Sequence, residues 1–199
     1  LLMACKGEID RFVYFSSIAA LGFGSELVGA KETTERKLCG IPYCDTKIVA
    51  EDLVKKICNQ NSVPFTIIRP ANVFGPGSVW VKEILDGFRR GPFPLINSGN
   101  SPGAFIYIDN LIDGSILAAE SEKAKDRVYH FRDDYPITWS EYIKTLGSWV
   151  GKKPLGNLSF KTAWLLGRIC EKLFTPFGIR PPISRLAVSV MGLNNDVDN

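Results

Sequence analysis

Two short apolar runs, Arg11-Phe-Val-Tyr-Phe15 and Phe65-Thr-Ile-Ile68, bracket a tyrosine and a lysine set four residues apart, Tyr43-Cys-Asp-Thr-Lys47. That order constrains the chain more than any other feature. Short runs of continuous apolar residues suit strands buried in a parallel sheet. Between them, Thr46 to Asn59 places Ala50, Leu53, Val54 and Ile57 at helical spacing, and Asn59-Gln-Asn-Ser62 closes the segment. The expected unit is strand, serine pair, loop, YxxxK, helix and strand. The second strand runs into Arg69-Pro-Ala-Asn-Val-Phe-Gly-Pro-Gly77, whose prolines and glycines mark a turn.

Ser16 and Ser17 stand where the first strand ends, and ligands of open α/β sheets bind outside the carboxyl ends of strands. Residues four apart share a helix face, so Tyr43 and Lys47 lie together. An ammonium beside a phenol favours the phenolate. A serine hydroxyl can hold a carbonyl oxygen against such a phenol, and the trio is then a proton-transfer device for alcohol–ketone chemistry.

Ser16-Ser17, Tyr43-xxx-Lys47 and Arg69-Pro-Ala-Asn-Val-Phe-Gly-Pro together resemble the extended short-chain dehydrogenase/reductase family. That family includes NAD-dependent epimerase/dehydratases, 3β-hydroxysteroid dehydrogenases and dihydroflavonol reductases. Phe105-Ile-Tyr-Ile-Asp-Asn-Leu resembles the family's strand-to-helix step, and Val128-Tyr-His-Phe with Ile137-Thr-Trp-Ser-Glu matches a later strand, turn and capped helix. The resemblance implies an α/β fold: the C-terminal part of a Rossmann-like doubly wound parallel sheet with a smaller substrate-binding lobe. It implies catalytic roles for Ser17, Tyr43 and Lys47, with Ser16 as the alternative serine. It implies NAD or NADP held by Ser16, Tyr43, Lys47, Pro70, Ala71 and Val73, and a substrate met by Ser17 and Asn72. The family's glycine-rich phosphate loop does not occur, since Gly22-Phe-Gly24 follows the strand and opens no helix. The chain is therefore expected to be part of a longer enzyme. Leu1 to Lys6 would be the tail of a preceding helix, residues 1–75 the end of the nucleotide-binding domain, and 76–199 segments returning to the sheet together with the lobe.

Sugar-nucleotide epimerases of this family carry an arginine before the strand at Phe105, where it meets a diphosphate. Asn100-Ser-Pro-Gly-Ala104 has none. The expected substrate is a small hydrophobic alcohol or ketone, as in hydroxysteroid dehydrogenases. A nucleotide-sugar epimerase or dehydratase is the alternative, and a non-catalytic NAD(P)-binding regulatory protein is a third reading.

The 199 residues are 45% hydrophobic with a net charge of +3, and no basic stripe points to nucleic acid. Arg89-Arg90 and Lys152-Lys153 read as solvated pairs. Five cysteines without metal spacing fit a reducing, cytoplasmic setting. The one histidine, His130, lies in an apolar strand and reads as a core residue, which sets aside histidine metal sites and hydrolase triads. Asp109 is expected to cap a helix beginning at Asn110. Helices are also expected over Ser78–Arg89, Trp139–Val150, Thr162–Phe174 and Ile183–Met191. The third is too short and too charged to span a bilayer, which leaves an amphipathic surface helix, or a peripheral membrane or lipid-substrate contact. A small-molecule substrate is the expected partner, and the resemblance leaves room for a homodimer.

Overall fold

In a computed structural model, which describes residues 8–198, the first apolar run forms β1 (Phe12–Phe15). The expected helix tail at Leu1 to Lys6 lies outside the described residues. Ser17 caps a 3-10 turn, Ile18–Leu21, whose four residues are all buried. The turn stops at Gly22, whose φ is +88°, and where a Cβ would sit 2.1 Å from the Lys37 carbonyl oxygen. β2 (Leu27–Ala30) and α1 (Pro42–Asn61) follow. Proline at the first helical position starts α1 four residues earlier than the periodicity predicts, and places Tyr43 in its first turn.

β3 (Phe65–Pro70) is buried at every position, as its apolar run requires. Then come β4 (Asn72–Phe74), α2 (Val79–Arg90), β5 (Leu95–Ile96), β6 (Phe105–Tyr107), α3 (Ile108–Glu120), β7 (Arg127–Phe131), α4 (Trp139–Trp149), β8 (Asn157–Leu158), α5 (Phe160–Phe174), α6 (Arg185–Gly192) and β9 (Asn195–Val197). α4, the capped helix expected after Ile137, opens on a capping box formed by Thr138 and Glu141.

Every ladder between named strands is parallel, and the fold is α/β. β1, β3 and β7 form a three-stranded sheet, with Phe12 opposite Phe65 and Ile67 opposite Val128. β1 lies at its edge among the described residues, so it is half-buried rather than buried, and Phe15 is exposed. The segment near Phe105 pairs with β4 instead of returning to that sheet. The cause is a change of partner between consecutive residues: the Ala71 N–H bonds Phe131, and the Asn72 N–H bonds Ala104. β2 pairs with β9 and β5 with β8, and the sequence signalled neither pairing.

The main core runs from Ile18 and Leu21 through Phe105 to Trp139, Tyr142 and Ile143. A second cluster of Val54, Cys58, Val63, Phe65 and Ile67 fixes α1 against the sheet. One expectation is corrected at α3. It begins at Ile108, and Asp109 sits in its first turn rather than capping it. Asp133 ties the start of the helix to the chain after β7, accepting from the Tyr107 N–H and the Asn110 side-chain amide, both at 2.9 Å.

Candidate active site

The ends of β1 and β3 and the whole of β4 open on a cavity of about 490 Å³. Ser16, Ser17, Tyr43, Pro70, Ala71, Asn72 and Val73 all line it, so seven of the eight singled-out residues meet at one place. The rest of the wall is mainly apolar, including Phe23, Trp80, Ile108, Leu186 and Val190, and none of the lining residues is charged.

Tyr43 is 44% exposed. Lys47, the eighth residue, stands one turn further along α1. Its ammonium donates to the Phe15 carbonyl at 3.1 Å and lies 5.9 Å from the centre of the Tyr43 ring. It lies equally near Tyr14, 5.6 Å from that ring's centre. Burial, the Glu51 carboxylate and Tyr43 raise the Tyr14 phenol above its ordinary range. Between Tyr43 and Lys47, burial pushes the Cys44 thiol up to about 12, so it stays protonated and unreactive.

The two serines divide. Ser17 Oγ accepts from the Ala19 N–H at 3.1 Å, which leaves its proton uncommitted by that bond. Ser16 Oγ turns inward and donates to Glu51 Oε1 at 2.6 Å. Asn72 is buried, and its amide donates to the Gly103 carbonyl at 2.6 Å. It thereby braces the loop where Ala104 holds a φ of +38°.

Sequence reasoning missed what lies beneath. On α1 the buried residues are Cys44, Ile48, Glu51, Val54 and Cys58, and Leu53 is exposed. A glutamate thus sits in the middle of the buried face. Its carboxylate takes two bonds from Arg69, at 2.9 and 2.8 Å, one from Ser16 and one from Arg36 at 3.3 Å. Burial works to raise the Glu51 pKa, but Arg69, Ser16 and Arg36 outweigh it and hold the carboxyl below its usual range. Arg69 also bonds the Glu32 carbonyl and His130 Nε2, each at 3.2 Å. A guanidinium only donates, so Nε2 must accept, and the proton of neutral His130 sits on Nδ1, which faces the Asp198 carbonyl at 3.3 Å. Burial and Arg69 both lower the His130 pKa. The histidine is a satisfied core residue, as its strand context predicted. The available signals were the spacing of Glu51, four residues after Lys47, and an arginine directly before Pro70.

The model of the NAD dependent epimerase/dehydratase family matches residues 1–131. Among curated proteins, a 2-alkyl-3-oxoalkanoate reductase of Stenotrophomonas maltophilia (strain K279a) is 29% identical over 92% of this chain and 59% of its own. A 3-beta-hydroxysteroid dehydrogenase of Mycolicibacterium neoaurum is 29% identical over 96% of this chain and 54% of its own. The chain therefore spans somewhat over half the length of these relatives. Among solved structures, UDP-glucuronic acid 4-epimerase from Bacillus cereus, in complex with NAD, superposes with a TM-score of 0.70 at 25% identity, over 80% of this chain and 53% of its own.

Proposed function

We propose that this chain, which belongs to the NAD dependent epimerase/dehydratase family, carries the proton-transfer side of an NAD(P)-dependent oxidoreductase acting on the hydroxyl or ketone of a hydrophobic substrate. One observation carries this reading. Ser17, Tyr43 and the Pro70–Val73 segment meet in a cavity whose remaining wall is mainly apolar and whose lining carries no charge. A sugar nucleotide brings a diphosphate that calls for cationic partners, and an apolar pocket with a few convergent hydroxyls suits an alcohol or ketone better. The two curated relatives described above are named for a reduction and a dehydrogenation, which supports the same choice.

In this reading Tyr43 moves the proton at the substrate oxygen. It accepts the hydroxyl proton during oxidation and returns it during reduction. The Lys47 ammonium stands close enough to the Tyr43 ring to stabilise charge developing on the phenol oxygen. The Ser17 hydroxyl, whose oxygen already accepts from Ala19, donates its proton to the substrate oxygen and fixes it against the phenol. The donor set also fits a dinucleotide. Lys47 spends one of its three N–H donors on Phe15 and keeps two for ribose hydroxyls, and Pro70, Ala71 and Val73 offer a wall for the nicotinamide. NAD or NADP, when bound, supplies the hydride acceptor or donor, and the protein supplies position and electrostatics.

The test is a thermal-shift screen of the full protein with NAD present, comparing hydrophobic hydroxy and keto compounds with UDP sugars. Stabilisation is expected from the former alone. A clear shift with UDP-glucuronic acid would instead assign the cavity to an epimerase.

A further inference from the structure

α5 buries two small residues and packs Phe160 and Trp164 against the core, while four large aliphatic residues face outward. Ala163 and Gly167 are buried, and a side chain at Gly167 would meet the backbone of Ser184 and Arg185 at 3.0 Å. Leu165, Leu166, Ile169 and Leu173 are 55%, 42%, 45% and 60% exposed. At about 100° per residue these four fall on one sector of the helix, adjacent to the line of Lys161, Arg168 and Lys172. The turn that follows α5 adds Phe177, which is 78% exposed.

A lone exposed leucine is ordinary, but a contiguous stripe marks an interaction surface. Charge indicates what covers this one. Lys161, Arg168 and Lys172 are exposed and have no ion-pair partner among the described residues. The single acidic residue of α5, Glu171, is turned toward α6, where it accepts from the Arg185 guanidinium at 2.6 Å. The outer surface of the helix is therefore an apolar row beside a purely cationic one, which is the pattern of a helix lying in a lipid interface. No helix among the described residues is long and apolar enough to cross a membrane.

We propose that α5 and the turn after it dock in the plane of an anionic membrane surface, with Leu165, Ile169, Leu173 and Phe177 entering the acyl boundary and Lys161, Arg168 and Lys172 meeting lipid phosphates. This holds whatever reaction the cavity performs. A basic residue near an anionic surface contributes roughly fivefold to binding, so the three together contribute about a hundredfold.

The full protein should float with phosphatidylcholine–phosphatidylserine vesicles and bind pure phosphatidylcholine vesicles far more weakly. The variant Lys161→Glu/Arg168→Glu/Lys172→Glu should lose the preference for anionic vesicles. Leu173→Asp/Phe177→Asp should bind both kinds at least about tenfold more weakly, with unchanged melting because both side chains are exposed. Failure of the wild type to float with anionic vesicles would overturn the proposal, as would undiminished flotation of the aspartate variant. So would concentration-dependent self-association that the aspartate substitutions abolish in the absence of vesicle binding, since the stripe would then belong to a second copy.

Discussion

Glu51→Leu removes one member of a buried ion pair and leaves the other in place. Glu51 is fully buried and Arg69 is 1% exposed. The substitution takes two hydrogen bonds from Arg69 and one from Ser16, and leaves a guanidinium in the core without a counter-charge. Breaking a buried pair from one side costs about 3–5 kcal/mol. Arg69 keeps the Glu32 carbonyl and His130 Nε2 as acceptors, which places the loss near the lower end, about 3 kcal/mol. Total stability is typically about 5–15 kcal/mol, so the change is large but measurable. Arg69→Met should cost a similar amount, because the buried carboxylate then keeps only Ser16 and the more distant Arg36. The double variant should cost less than the sum, because well-packed apolar residues replace a buried pair at little or no loss. Urea midpoints for the full protein, its two single variants and the double variant give the coupling. The expected coupling is at least about 2 kcal/mol. A loss under about 1 kcal/mol for Glu51→Leu, or strict additivity in the double variant, would refute the reasoning.

The sign with pH follows from the direction of the Glu51 shift. Its folded pKa lies below the unfolded one, so the contribution is complete above the unfolded value of about 4.3 and is lost as pH falls through the folded value. Wild-type and Glu51→Leu stabilities should therefore converge in acid.

Four other outcomes are expected. Tyr43→Phe in the full protein should lower turnover at least about a hundredfold with cofactor binding nearly intact, and rates within about tenfold of wild type would remove Tyr43 as the proton carrier. The His130 imidazole should titrate by NMR below the ordinary histidine range and move back toward it in Arg69→Met; titration at or above about 6.5 in the wild type would contradict the burial and the neighbouring cation. Gly22→Ala should lower the thermal midpoint by several degrees, because a Cβ there would collide with the Lys37 carbonyl at a backbone angle that favours glycine. Asp133→Ala should cost about 1 kcal/mol in urea denaturation by leaving the Tyr107 N–H and the Asn110 side-chain amide without their acceptor, whereas Asp109→Ala should cost less.

What the sequence revealed and what it hid differ in physical kind. β3 was legible because a strand buried on both faces needs an unbroken apolar run, and Phe65 to Ile68 is one. The start of α4 was legible because Thr138 and Glu141 satisfy orphan backbone groups from fixed positions. The pairing of β2 with β9 was not, since Leu27 meets Asn195 only after the chain has travelled through nearly the whole fold. Strands of three or four residues leave no local record of a distant partner. The expectation at the start of α3 failed for the same reason. Asp109 is near in sequence, but Asp133 arrives from the far end of β7.

The site shows this most clearly, because hydropathy was the wrong guide to the buried face of α1. Leu53, one of the apolar residues at helical spacing, is exposed, while Glu51, a charged residue outside that pattern, is fully buried. Positions 43, 47 and 51 are successive steps of four, and each step drifts about 40° around a helix of 3.6 residues per turn. The drift carries the row from Tyr43 at the cavity wall, through half-buried Lys47, to Glu51 in the core. There the carboxylate binds Ser16 at the end of β1 and Arg69 at the end of β3. The same stripe that presents the phenol thus fastens α1 to the two strand ends supplying Ser17 and Pro70. A polar residue is tolerated on that inner face because its charge is matched by Arg69. For that reason the anchor of the site rests on the pairing of α1 with β3 rather than on either segment alone.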